Sequence, residues 1–170
     1  MLGSLITSKT RLRMLIKFFV SAANNGYLNG LANEFNKSTN SIRKELNNLS
    51  SAGYLLKSKE NNRIVYNANT SHPMFEVLQK IVRQHLGLED IVETVINRIG
   101  DVDQIALTGE YAEGIDSGNI EIVINGLKVN NEYLENIKPK IKKKIRREVS
   151  FLVNQKIDLN AIILYKKTTK

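Results

Sequence analysis

The sequence contains no cysteine. That excludes a disulfide framework, a thiolate zinc site and a cysteine nucleophile, and it leaves packing as the source of stability. Histidine is almost as scarce: only His72 and His85 are present, too isolated for a histidine-rich metal site, and both read as structural or solvated residues. Long hydrophobic runs are missing too. Leu12 to Val20 is interrupted by Arg13 and Lys17, and nothing reaches the ~18 apolar residues of a membrane span or resembles a cleaved leader. A cytoplasmic protein without a membrane partner or cofactor is expected.

What is present is a chain of 170 residues with 42% hydrophobic content, enough for one ordinary core or two small ones. The net charge of +8 is unevenly spread. Residues 1–70 carry 10 Lys and Arg against 3 Asp and Glu, residues 71–100 carry 3 against 4, residues 101–136 carry 1 against 8, and residues 137–170 carry 11 against 2. A basic front end suits a polyanion, whose binding is driven by counterion release. The acidic stretch would repel phosphates.

The first seventy residues follow helical periodicity and then switch to strands. Leu12, Leu15, Ile16, Phe19 and Val20 form a stripe, with Thr7 or Ser8 as N-cap. Asn24-Asn25-Gly26 ends that helix, and Leu28, Leu31, Ala32 and Phe35 form the inner side of a second. After the turn at Asn36-Lys37-Ser38, Ser38 caps a third helix with core face Ile42, Leu46 and Leu49, closed by Ala52-Gly53. These apolar positions lie +10, +14 and +17 from Ala32, a spacing that lets two helices cross tightly around a small residue. Tyr54–Ser58 and Arg63–Asn67 read as strands joined by a polar turn at residues 59–62. Three helices and a hairpin predict a winged helix-turn-helix.

In that fold the third helix would enter the major groove of double-stranded DNA. Its outward residues are Ser38, Thr39, Asn40, Arg43, Lys44 and Asn47; Arg43 could fork onto guanine, and Asn40 or Asn47 could pair with adenine. Lys57, Lys59, Asn61, Asn62 and Arg63 would set the hairpin against phosphate or the minor groove, with Lys9, Arg11 and Lys37 as further backbone contacts. The competing reading is a helical interaction module with a solvated basic surface.

Two amphipathic helices are expected next. Pro73 opens one carrying Met74, Phe75, Leu78, Ile81, Val82 and Leu86; Gly87 interrupts, and a second runs through Leu88, Ile91, Val92, Val95, Ile96 and Ile99 to Gly100. They are expected to support a homodimer, which suits paired half-sites, or else to pack within the chain. In the last seventy residues, strands are expected at Asp103–Thr108, Ile120–Ile124, Val149–Val153 and Ala161–Tyr165. A helix spans about Asn131 to Arg147, kinked or restarted at Pro139, with Ile137, Ile141, Ile145 and Val149 inward and Lys138, Lys140, Lys142, Lys143, Lys144, Arg146 and Arg147 facing water. That basic face could also be a second nucleic-acid contact.

Four stretches carry a family resemblance: Ala32 with Ser38-Thr-Asn-Ser-Ile-Arg43, Tyr66 to Pro73, Gly109 to Gly126, and the Lys-Lys-Ile-Arg run ending at Arg146. Over nearly its whole length the chain resembles bacterial ArsR-like winged-helix regulators fused to a minimal nucleotidyltransferase-like domain. The resemblance implies an α+β protein: a winged helix-turn-helix at 1–70, a helical linker and dimerisation region at 71–100, and a degenerate nucleotidyltransferase-like domain at 101–170.

Active members of that fold show a Gly-Ser pair followed by Asp-x-Asp, the aspartates holding magnesium. Here Gly109 is followed by Glu110, Asn119 replaces the first aspartate and Glu121 the second, while Glu113 stands where an arginine is often found. Glu148 and Asp158 are the only loosely placed candidates for a third carboxylate. Gly109, Glu110, Asn119 and Glu121 therefore read as a vestigial nucleotide site, since one carboxylate and one amide bind magnesium poorly. Neither metal nor catalysis is expected. The expected function is a sequence-specific transcriptional regulator whose second domain serves dimerisation or a small-molecule or protein effector. The alternatives are a nucleotidyltransferase with an atypical metal site and an antitoxin-like interaction module.

Overall fold

A helix that buries every residue along its second half organises the N-terminal end of the chain. In the computed structural model, which describes residues 2–168, α2 (Lys9–Phe19) is preceded by a single turn, α1 (Leu2–Leu5), that the periodicity did not predict. Ser8 is the N-cap of α2, its hydroxyl accepting from the Arg11 amide. From Met14 to Val20 no residue is exposed, Lys17 included. A buried ammonium needs an opposite charge. Lys17 Nζ lies 2.9 Å from Glu34 Oε2.

A strand stands where the sequence suggested only a helix end. β1 (Asn25–Tyr27) leads directly into α3 (Leu28–Phe35) and pairs antiparallel with β3 (Arg63–Ala68). Its three residues were too short a run to show alternation. Asn36, at φ 50°, takes the left-handed conformation that ends α3, and the Asn36 and Lys37 amides donate back to Asn33 and Ala32 carbonyls. Ser38 then caps α4 (Thr39–Ser51), accepting from the Ser41 amide. Ala32, Ile42, Leu46 and Leu49 are all buried, as the spacing required.

β2 (Leu55–Glu60) and β3 form a longer hairpin than expected, with Glu60 opposite Arg63 and only Asn61 and Asn62 between them. Both turn residues have positive φ, 46° and 62°. That is the backbone of a two-residue primed turn, which asparagine tolerates better than other non-glycine residues. The sheet order is β1-β3-β2.

The chain divides into two compact units, residues 1–82 and 83–170, the boundary falling within α5 (Phe75–Leu86). Pro73 lies just before α5, and Phe75 contributes to the first unit through a tilted ring contact with Phe19, centroids 5.9 Å apart. In the second unit α6 (Leu88–Ile96) stops three residues short of Ile99.

The second sheet has four strands in the order β6-β5-β4-β7, built from β4 (Val102–Thr108), β5 (Asn119–Gly126), β6 (Glu148–Val153) and β7 (Ile162–Lys166). β5 pairs antiparallel with β4 and parallel with β6, and β7 is antiparallel to β4. Because β5 and β6 are parallel they need a crossover, supplied by α8 (Asn131–Ile145). Leu134, Ile137, Ile141 and Ile145 are its buried face. The helix continues through Pro139 without a restart and ends at Arg146, left-handed at φ 57°. α7 (Gly109–Ala112) is a single turn between β4 and β5. The protein is thus α+β, with two separate sheets.

Candidate nucleic-acid interface

The eleven residues of α4 and the hairpin expected to meet DNA lie at the surface of the first unit: Ser38, Thr39, Asn40, Arg43, Lys44 and Asn47 on or capping α4, and Lys57, Lys59, Asn61, Asn62 and Arg63 on the hairpin. The structure brings five of them together, while Ser38, Thr39, Asn40, Lys44, Lys59 and Asn61 lie outside the shared groove. An open groove of about 630 Å³ is lined by Arg43 and Asn47 from α4, Lys57, Asn62 and Arg63 from the hairpin, and Tyr27 at the end of β1. Ser38 differs from the others because its hydroxyl already serves the helix as an acceptor. Arg43 Nη1 donates to Asn40 Oδ1 at 3.3 Å, so these two residues present one linked pair of polar groups.

Two of the three cations lining the groove are held by aromatic faces rather than by acids. The Arg63 guanidinium carbon sits 4.9 Å from the Tyr27 ring centroid, and Lys57 Nζ 5.7 Å from that of Tyr66. Each ring restrains a charge without cancelling it. An acid in the same place would have neutralised the cation. Tyr27 and Tyr66 were not anticipated, since their role depends on the pairing of β1 with β3, which sets Gly26 opposite Tyr66.

Other charges are spent on holding the helices. Arg13 donates to the Glu34 and Phe35 carbonyls at 3.1 and 2.8 Å and stacks 4.2 Å from the Phe35 ring, closing the C-terminal end of α3. Glu45, buried on α4, accepts from Arg11 Nε at 2.9 Å and from the Ser8 hydroxyl at 3.3 Å. Arg11, suggested as a backbone contact, is therefore committed to Glu45. A signal for this was in the sequence: Glu45 falls on the same helical face as Ile42 and Leu49, where an acid requires a basic partner. Lys9 and Lys37 are exposed.

In the second unit, Thr108 and Glu121 are paired across β4 and β5, so Gly109 and Glu121 are neighbours. A Cβ on Gly109, whose φ is +66°, would lie 2.9 Å from the Glu121 carboxyl carbon. The acid fills the space over the glycine. Asn119 Oδ1 accepts from Ser150 Oγ at 3.0 Å, and Glu148 lies opposite Asn119 in the parallel register. Glu110 is exposed. Asp158 lies outside the strands, in the connection from β6 to β7. Among the described residues, no group of three or more acids or histidines is placed to hold a metal ion.

Arg147 is not the solvent-facing residue the helical pattern implied. Because Arg146 ends α8 in a left-handed turn, Arg147 leaves the helical stripe and points inward, its side chain only 14% exposed. Its Nε donates to Tyr111 Oη at 3.1 Å and reaches Asp116 Oδ1 at 3.5 Å; Nη1 donates to the His85 and Ile145 carbonyls, each at 3.4 Å. Tyr111, fully buried, donates to Asp116 and accepts from the Gly118 amide at 3.0 Å. Burial, reinforced by the hydrogen bond to Asp116, pushes the Tyr111 phenol up to about 12. His85 Nε2 lies 3.4 Å from Arg147 Nη2, and burial followed by the Arg147 charge lowers its pKa. His85 is thus structural, as expected, but its partner was invisible in the sequence.

No protein-family model matches the chain, and no curated protein matches it. Among solved structures, the transcriptional regulator BldR from Sulfolobus solfataricus is similar over 85% of this chain and 80% of its own, at 13% identity and a TM-score of 0.38. Among the described residues, no helix is long and apolar enough to cross a membrane.

Proposed function

We propose that the chain is a DNA-binding transcriptional regulator whose first unit reads duplex DNA as a winged helix-turn-helix. The observation that carries this reading is the groove shared by α4 and the hairpin, where Arg43, Lys57 and Arg63 converge with no acidic residue in the lining. α4 would enter the major groove, with Arg43, Asn40 and Asn47 toward base edges, and the hairpin would follow the phosphates. The ArsR-like affinity belongs to the same proposal. So does a homodimer, which would present two copies of α4 to paired half-sites.

The second unit is proposed to be a nucleotidyltransferase-like scaffold without catalysis, used for dimerisation or for an effector. Glu121 over Gly109 supports this, because its charge occupies the approach that a phosphate would need. Asn119, engaged with Ser150, offers a neutral oxygen in place of a carboxylate.

Selection of bound fragments from random duplex DNA tests the first part. A recovered motif with regularly spaced half-sites is expected; recovery of no motif overturns sequence-specific regulation. Incubation with labelled nucleoside triphosphates and magnesium tests the second. Transfer that disappears in Glu121→Ala would establish an enzyme instead.

A further inference from the structure

A second cationic surface lies in the C-terminal unit, beside Asn119, whose chain neighbour Gly118 and register partner Glu148 both line it. At the end of α8 an open groove of about 520 Å³ is lined by Lys142, Lys143, Arg146 and Arg147, with Glu148 as its one acid. The chain turns here from α8 into β6 through Arg146, in a left-handed conformation that helix ends usually assign to glycine. That turn sets two arginines beside two lysines of the last helical turn.

The charges of α8 do not all have equal standing. Lys138 is paired with Glu135, Lys144 with Asp90 and Lys142 with Glu148, which also neutralises the one acid of the groove. Arg147 is fixed by Tyr111 and Asp116. Lys143 and Arg146 have no ion-pair partner among the described residues, and both are exposed. A merely solvated helical face would spread such cations around the helix. Here Lys143 and Arg146 share one concavity, while Lys140, also exposed and without an ion-pair partner among the described residues, lies outside its lining.

We propose that this groove holds the sugar–phosphate backbone of a nucleic acid, independently of α4 and the hairpin. The lining favours a backbone over a free nucleotide: it contains no aromatic side chain to stack a base and no amide side chain to read one. Two uncompensated cations beside Arg147 in an open groove recognise phosphate charge and no base.

The test uses the full chain and a short labelled duplex of arbitrary sequence, titrated over a range of salt concentrations. K143E/R146E is expected to make the logarithmic salt slope shallower by about 2, close to 0.9 for each phosphate that the protein no longer neutralises. The neutral pair K143Q/R146Q should give a similar slope, with melting temperatures near that of the unaltered protein showing that both fold. Unlabelled duplex should compete in proportion to its phosphates. An unchanged slope in both pairs overturns the proposal. So does competition by ATP, at equal phosphate, that the substitutions abolish, since it would identify a small nucleotide as the ligand. R43A/R63A, titrated in parallel on a selected site and on the arbitrary duplex, keeps the two units apart: loss of preference between those two duplexes, with the slope effect of K143E/R146E retained, supports both readings. Retained preference in R43A/R63A would remove the α4 reading and leave this groove standing.

Discussion

The guanidinium of Arg63 and the ring of Tyr27 face one another at 4.9 Å, joining the turn end of the hairpin to the start of α3. Tyr27 is itself pinned, because a Cβ on Gly30 would come within 2.9 Å of its ring. A glycine under the ring, a ring under the cation and a primed turn beside it hold one positive charge at the mouth of the groove.

Arg63→Ala and Tyr27→Leu should therefore separate charge from restraint. Arg63→Ala removes a phosphate contact and is expected to weaken binding to all sequences alike, with the logarithmic salt slope reduced by about 1. Tyr27→Leu keeps the charge and removes only its aromatic support, so affinity should fall by about 0.5–1 kcal/mol with the slope unchanged. Titrations at several salt concentrations distinguish them. Equal slopes in Arg63→Ala and the unaltered protein would rule out a phosphate contact at the hairpin.

Arg43 makes a different kind of contact. Its link to Asn40 across one helical turn leaves the other guanidinium nitrogens available for a base edge. Arg43→Ala should cost about 1–3 kcal/mol on a selected site and flatten preference at one base position. Arg43→Lys should restore the charge but not the preference, because an ammonium lacks the planar fork. Competition between the selected site and its single-base variants measures this, and undiminished discrimination in both variants would exclude Arg43 from base reading.

The helices of the first unit were legible because their apolar spacing is set by local geometry. Ala32 with Ile42, Leu46 and Leu49 needed only a tight turn to be interpretable, and all four are buried. What escaped were features created by pairing distant segments. β1 is three residues long and exists because Gly26 meets Tyr66, forty residues later. Glu45 with Arg11, and Arg147 with Tyr111, likewise join segments that no periodicity connects. Arg147 was misread for a local reason as well, since a helical wheel continued past Ile145 ignores the left-handed residue that ends the helix. The surface positions of α4 and the hairpin could be read directly, whereas the aromatic support beneath their charges could not.

Tyr111 tests the buried network in the second unit. Tyr111→Phe keeps the ring and removes the oxygen that accepts from Gly118 and Arg147 and donates to Asp116. Leaving those donors short of a partner should cost about 1–3 kcal/mol. The pH dependence has a definite sign. With the native phenol at about 12 against the ordinary 10.0, the folded state holds its proton where the unfolded state has lost it. Stability contributed by Tyr111 is therefore complete below 10 and declines as pH rises toward 12. Thermal melts in alkaline buffers should show a steeper decline for the unaltered protein than for Tyr111→Phe. Parallel curves would dissociate the phenol from folding.

His85 should produce the opposite dependence at the acid side. Its pKa in the folded protein lies below the ordinary 6.5, first because burial disfavours the imidazolium and then because Arg147 lies against Nε2; Asp116 opposes both from the far side of the guanidinium. The unfolded chain takes up its proton near 6.5 while the folded chain does not, so acidification favours unfolding and stability is lost as pH falls from 6.5 toward the lowered value. Carboxylates elsewhere add their own acid sensitivity, so the informative quantity is a difference between two proteins. His85→Gln retains an acceptor for Arg147 but cannot titrate, and its melting temperature should fall less than that of the unaltered protein between about pH 7 and pH 5. Superimposable profiles would show that His85 does not change protonation on unfolding, and the acid sensitivity would then belong to the carboxylates alone.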